Sequence, residues 1–101
     1  MIIVLAILAL ATNYDDIIPN NSDIETLVFV RDGCSGCEAI KPIVKELQNE
    51  DFNILIITNL EEHKRFSVSL VPTTIVIVNG KEARRHVGAL SKKEMVAFIE
   101  G

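Results

Sequence analysis

Cys34 and Cys37 stand three residues apart, at the point where an apolar run gives way to a helical pattern. The run is Leu27-Val28-Phe29-Val30, too short for a helix and β-prone, so it is read as a buried strand. Arg31 to Gly33 forms a loop. From Ser35 to about Gln48 the apolar residues Ala39, Ile40, Ile43, Val44 and Leu47 recur in steps of three and four. That is one face of an amphipathic helix, with a kink expected at Pro42. The spacing therefore predicts a strand, a tight loop and a helix whose first turn carries both sulfurs.

The remaining punctuation extends this alternation. Phe52 to Thr58 reads as a strand, and Asn59 with Glu62 caps a short helix running through Phe66. Thr73 to Val78 is the clearest strand of the chain. Asn79-Gly80 then signals a two-residue hairpin turn, with Lys81 to Val87 as the charged returning edge strand. Ser91 and Glu94 form a capping box, and Leu90 and Met95 a hydrophobic staple, for a last helix. Thr12 or Asn13 caps a short helix over Tyr14 to Ile18, broken by Pro19. The pattern predicts parallel strands with helices on both faces, and the hairpin adds an antiparallel edge.

Residues 1–11, MIIVLAILALA, contain no polar residue. Eleven residues are too few to span a bilayer, which takes about 20. No Lys or Arg precedes the run, which departs from a signal peptide, although Ala9-Leu10-Ala11 has the small-x-small form of a cleavage site. Ile2, Ile3, Val4 and Ile7 favour a first strand, and the sheet then has five strands rather than four. With 101 residues the chain is expected to form one domain. Its net charge of −4 argues against nucleic acid as a partner.

The two cysteines close too small a loop to act as a structural staple, so a disulfide here is reactive or switchable. At a helix N-terminus, unpaired N–H groups and the helix dipole stabilise a thiolate, so the Cys34 thiol is expected to be acidified. Cys37, one turn on, can close the disulfide and free a mixed-disulfide intermediate. Gly33 and Gly36 leave room for a large partner. A zinc site is disfavoured, because His63 and His86 lie 23 residues apart instead of three to five. His63, Arg84, Arg85 and His86 are read as solvated surface.

The chain resembles the thioredoxin family over nearly its whole length. Pro42 stands five residues after Cys37, and Val71-Pro72-Thr73 matches the family's cis-proline setting after Phe66-Ser67-Val68. An Asn-Gly hairpin follows, then Gly88 sixteen residues after Pro72 and a closing Val87-Gly88-Ala89-Leu90-Ser91-Lys92. Asn13 to Ile18 looks like the family's first helix and favours residues 1–11 as its first strand.

The resemblance implies an α/β thioredoxin fold, a central mixed sheet of four to five strands with helices on both faces. It implies a thiol–disulfide oxidoreductase in which Cys34 and Cys37 are catalytic. Gly33, Ser35, Gly36, Val71, Pro72 and Gly88 would contact a client, with Pro72 cis beside the cysteines and the adjoining backbone pairing with the client's extended chain. No metal or cofactor beyond the Cys34–Cys37 disulfide is implied. The partners are protein disulfides and a thioredoxin reductase-like electron donor, and the chain is expected to be monomeric, free of membranes and cytoplasmic, or exported if residues 1–11 act as a signal. A glutaredoxin-like protein and a redox-inactive binding module are the alternatives. Leu27 to Cys37 (LVFVRDGCSGC) suits the former, although that family's Gly-Gly and acidic pair are missing after Pro72.

Two departures from the pattern stand out. Gly33 replaces the family's Trp before the first cysteine, and Val28 takes the place of its buried acid. The lysine that often pairs with that acid is also missing from Ile54 to Ile57. Cys37 must then give its proton to water or to a surface group such as Asp32 or Glu38, and slower turnover or a different redox poise is expected.

Overall fold

The structure, a computed structural model, describes residues 23–101. The strand expected over residues 1–11 and the helix expected over 14–18 lie outside the described residues.

Seven elements follow in order: β1 (Ile24–Phe29), α1 (Ser35–Asn49), β2 (Ile54–Ile57), α2 (Leu60–Arg65), β3 (Thr73–Val78), β4 (Lys81–Val87) and α3 (Lys92–Glu100). The described strands form one sheet in the order β2-β1-β3-β4. β1 and β2 are parallel, in the register Val28↔Ile56. β3 corrects the expectation of a parallel sheet closed by an antiparallel hairpin edge. It runs antiparallel to β1, with Phe29 opposite Thr73 and Val28 opposite Thr74. The turn at Asn79 and Gly80, both at positive φ, returns the chain as β4, antiparallel to β3. The sheet is therefore mixed from its centre.

Strand periodicity divides the core into two layers. Val28, Val30, Ile54 and Val76 meet Cys37, Ile40, Val44 and Leu47 of α1 and Met95 and Ile99 of α3. Leu27, Phe29 and Ile75 pack with Val68 and Phe66 on the opposite face. α1 runs unbroken through Pro42, which has no N–H to give the carbonyl one turn back. The α3 capping box is complete. Glu94 N–H donates to the Ser91 hydroxyl at 3.1 Å, and Ser91 N–H donates to the Glu94 carboxylate at 2.9 Å. The Ser91 N–H holds the Glu94 carboxyl below its ordinary range. Its contribution to the cap is present above the unfolded-state value and is lost as pH falls through the lowered one.

Three side chains read as solvated surface are engaged in the fold. His63 is buried on α2, where its Nδ1 lies 2.8 Å from the Asn59 carbonyl and its Nε2 3.1 Å from the Val30 carbonyl. Its ring meets Phe29 edge-on at 5.1 Å. Between the pairs Val76↔Arg84 and Ile77↔Glu82 the register shifts, leaving Ala83 unpaired. Arg84 thereby reaches α3 and donates from Nε to the Phe98 carbonyl at 2.7 Å and from a terminal nitrogen to that of Ile99 at 2.9 Å. These are orphan carbonyls at a helix C-terminus, where a cation is favoured. Arg85 donates to the Phe66 carbonyl and to Glu82. Arg84→Met is expected to destabilise the fold by about 1–3 kcal/mol, read from urea unfolding. An unchanged midpoint would show that water replaces the guanidinium at no cost.

Candidate functional site

The end of β1 and the start of β3 lie side by side, so the Val30–Cys34 loop faces the segment entering β3. Cys34 is the N-cap residue of α1, in extended backbone geometry. Its Sγ accepts the Cys37 N–H at 3.1 Å, and its carbonyl accepts the Glu38 N–H at 3.1 Å. One free amide at the helix start thus points directly at sulfur. The two cysteines are joined in a disulfide, with Cα atoms 5.2 Å apart. Cys34 is part-exposed, whereas Cys37 is 0% exposed. A partner approaching from solvent can reach Cys34 alone.

The segment before β3 closes over this turn. The Val71–Pro72 peptide bond is cis. The Val71 carbonyl oxygen lies 3.8 Å from Cys34 Sγ. Gly36 faces Pro72 so closely that a Cβ there would stand 3.2 Å from Pro72 Cδ. Hydrogen is the only side chain that fits this approach without moving the ring. Gly88 N–H donates to the Pro72 carbonyl at 2.8 Å, and the Thr73 hydroxyl donates to the Leu70 carbonyl. Val71 enters no backbone–backbone hydrogen bond among the described residues.

The structure brings Cys34, Cys37, Gly36, Val71, Pro72 and Gly88 together around the sulfurs. Gly33 and Ser35 flank Cys34 and are exposed. Of the two surface acids considered for Cys37, Asp32 is exposed, and Glu38 is held by Lys41 Nζ at 3.0 Å. Leu70, 63% exposed beside Val71, is an apolar surface residue next to the site that sequence reasoning missed, since no periodicity marks a lone loop leucine. A cavity of about 410 Å³ is lined by Val30, Arg31, Asp32, Lys41, Thr58 and Leu60. Among the described residues no group of three or more His, Cys, Asp or Glu side chains could hold a metal ion. None of the described helices is long and apolar enough to cross a membrane.

Comparison with known proteins agrees with this geometry. The family model described as Thioredoxin matches residues 6–101. Thioredoxin of Haemophilus influenzae is 34% identical over 86 residues, covering 78% of this chain and 80% of that protein. A bifunctional thioredoxin reductase/thioredoxin of Mycobacterium leprae is 27% identical over 92 residues, covering 85% of this chain and 20% of that protein. The X-ray structure of Fasciola hepatica thioredoxin superposes with a TM-score of 0.70 at 26% identity, over 85% of this chain and 88% of that one.

Proposed function

Because the chain belongs to the thioredoxin family and its two cysteines pair, it is a thiol–disulfide oxidoreductase, and we propose that it works as a reductase of protein disulfides. The observation that carries this reading is the amide of Cys37 aimed at Cys34 Sγ from the start of α1. In the reduced protein the same amide and the helix dipole favour the Cys34 thiolate. That thiolate attacks one sulfur of a client disulfide, forming a mixed disulfide and expelling the other client sulfur with the bonding electron pair. Cys37 then attacks Cys34 Sγ, which closes the internal disulfide and releases the second client thiol.

Client recognition falls to the main chain. The unpaired backbone of Val71 offers an extended client a strand-like partner. Pro72, Gly36 and Gly88 fix the height of that segment above the sulfurs, while Gly33, Ser35 and Leu70 border it. Residues 1–101 act as one domain and as a monomer, in a reducing compartment such as the cytoplasm. If residues 1–11 act as a signal, the place of work is outside it. The reaction needs no cofactor beyond the dithiol.

The fusion of reductase and thioredoxin in the Mycobacterium leprae relative supports a thioredoxin reductase-like electron donor. Insulin reduction is expected to run with thioredoxin reductase and NADPH, and much more slowly with glutathione and its reductase. Turnover driven by glutathione alone would move the protein to the glutaredoxin-like alternative. Inactivity with both donors, in a protein carrying two titratable thiols, would favour the binding module.

A further inference from the structure

Among the described residues, the layer that holds Cys37 contains no carboxylate. The described residues packed around it are Val28, Val30, Ile40, Val44, Val76 and other apolar side chains of the same cluster. Nevertheless, two hydroxyls are buried on this face. Thr26 and Thr74 are 1% and 0% exposed, and neither Oγ1 has a hydrogen-bonding partner among the described residues. Strand register puts both on the α1 side of the sheet. Thr74 is directly across from Val28, and Thr26 across from Val76, so the two threonines are diagonal neighbours.

Such neighbours have Cα atoms about 7–8 Å apart, a gap that one water between two hydroxyls can bridge. Buried polar atoms are almost always satisfied, and where protein supplies no partner an internal water usually does. Thr74 is also two residues beyond Pro72, the residue that packs against Gly36 in the first turn of α1. The register thus puts Thr74 on the face of the sheet that packs against Cys37, beside Val28 of the same cluster.

We propose that Thr74, together with Thr26, holds an internal water that takes the proton from Cys37 as it closes the disulfide. This rests on the reductase reading above. In that step the Cys37 S–H bond breaks, and as the water takes that proton it gives one of its own up to solvent, so no charge is left in the apolar layer. The Cys37 sulfur bonds to Cys34 Sγ, the bond from Cys34 to the client breaks, and the client sulfur leaves with the electron pair. Solvent returns a proton to the client, so one disulfide is made and one reduced. Thr74 is a positioning residue, since its hydroxyl orients the acceptor without reacting.

Among the described residues, the ionisable groups facing this layer come from its β4 and α3 sides. His86 is opposite Thr74, with its ring edge-on to Phe98 at 5.8 Å. Arg84 is opposite Val76 and is occupied by the α3 carbonyls. Glu94 of α3 lies within electrostatic reach of His86. The residues that α1, β1 and β2 turn into the layer, apart from the cysteines and Thr26, are aliphatic.

The test uses the reduced full-length protein and 5,5′-dithiobis(2-nitrobenzoate) in stopped flow. Attack by Cys34 frees the first coloured thiolate, and closure by Cys37 frees the second. Thr74→Val is expected to leave the first phase unchanged and to slow the second about tenfold or more at neutral pH, a modest share of what positioned proton transfer can contribute. The deficit should shrink as pH rises and Cys37 ionises unaided. Thr74→Ser, which keeps the hydroxyl, should restore the second phase, and His86→Gln should leave it in place.

Equal second phases in wild type and Thr74→Val across the pH range would overturn the proposal. So would equal slowing of both phases, or a deficit that follows His86 instead. A marked rise in the urea midpoint of Thr74→Val would also count against it, because removing a truly unpartnered buried hydroxyl stabilises the fold. If the wild type shows no first phase, the reductase reading itself fails and this inference with it.

Discussion

Cys34→Ser is expected to lower insulin reduction by about a thousandfold or more, the scale lost when a covalent nucleophile is removed. The geometry makes the loss nearly complete. Cys37 is fully buried, so it cannot replace its neighbour as the attacking group. A serine hydroxyl at the N-cap keeps the bond to the Cys37 amide but does not ionise near neutral pH. Cys37→Ser should be equally poor in turnover, for a different reason. Cys34 still attacks, and the mixed disulfide then persists because nothing closes it. Mass spectrometry should find a client joined to Cys34 in that variant and no adduct in Cys34→Ser. An adduct through Cys37, or appreciable turnover by Cys34→Ser, would reverse the assigned roles.

Val28→Asp should destabilise the protein by about 3–5 kcal/mol at neutral pH, the range for a buried charge left without its partner. Val28 is 0% exposed, with Ile56 on one neighbouring strand and Thr74 on the other. Neither can neutralise a carboxylate. Burial raises the folded-state pKa of the new group above its unfolded value of about 4. The penalty is therefore absent below that value and grows as pH rises through it. Adding Ile56→Lys should recover part of the loss, since the register puts the two side chains next to each other. Urea unfolding at acid and neutral pH measures both effects. A Val28→Asp protein as stable as wild type at neutral pH would mean that water already enters this layer freely.

Local chemistry made much of the site readable from the chain. A cysteine before an amphipathic helix becomes its N-cap because the periodicity starts one residue later. Asn79-Gly80 marks a hairpin, and Ser91 with Glu94 marks a helix start, since each signal depends on neighbours in sequence. The direction of β3 is not of this kind. TTIVIV reads as a strand either way up, and only its pairing with β1 decides which end meets Cys34. His63 escaped notice because α2 has six residues, too few to display a buried stripe. Arg84 turns toward α3 through the register shift at Ala83, which composition does not mark. The two buried threonines look like ordinary β-formers, and their importance comes from what surrounds them.

The imidazole of His63 adds a polar link between α2 and the strand it packs on. It sits beneath the sheet on the α2 side, with its Nε2 3.1 Å from the carbonyl of Val30, four residues upstream of Cys34. α2 therefore meets the base of the cysteine-bearing loop directly, on the face of the sheet opposite the layer of Cys37. Substitutions along α2 are therefore expected to shift the seat of the loop that carries Cys34, from the side of the sheet away from Cys37.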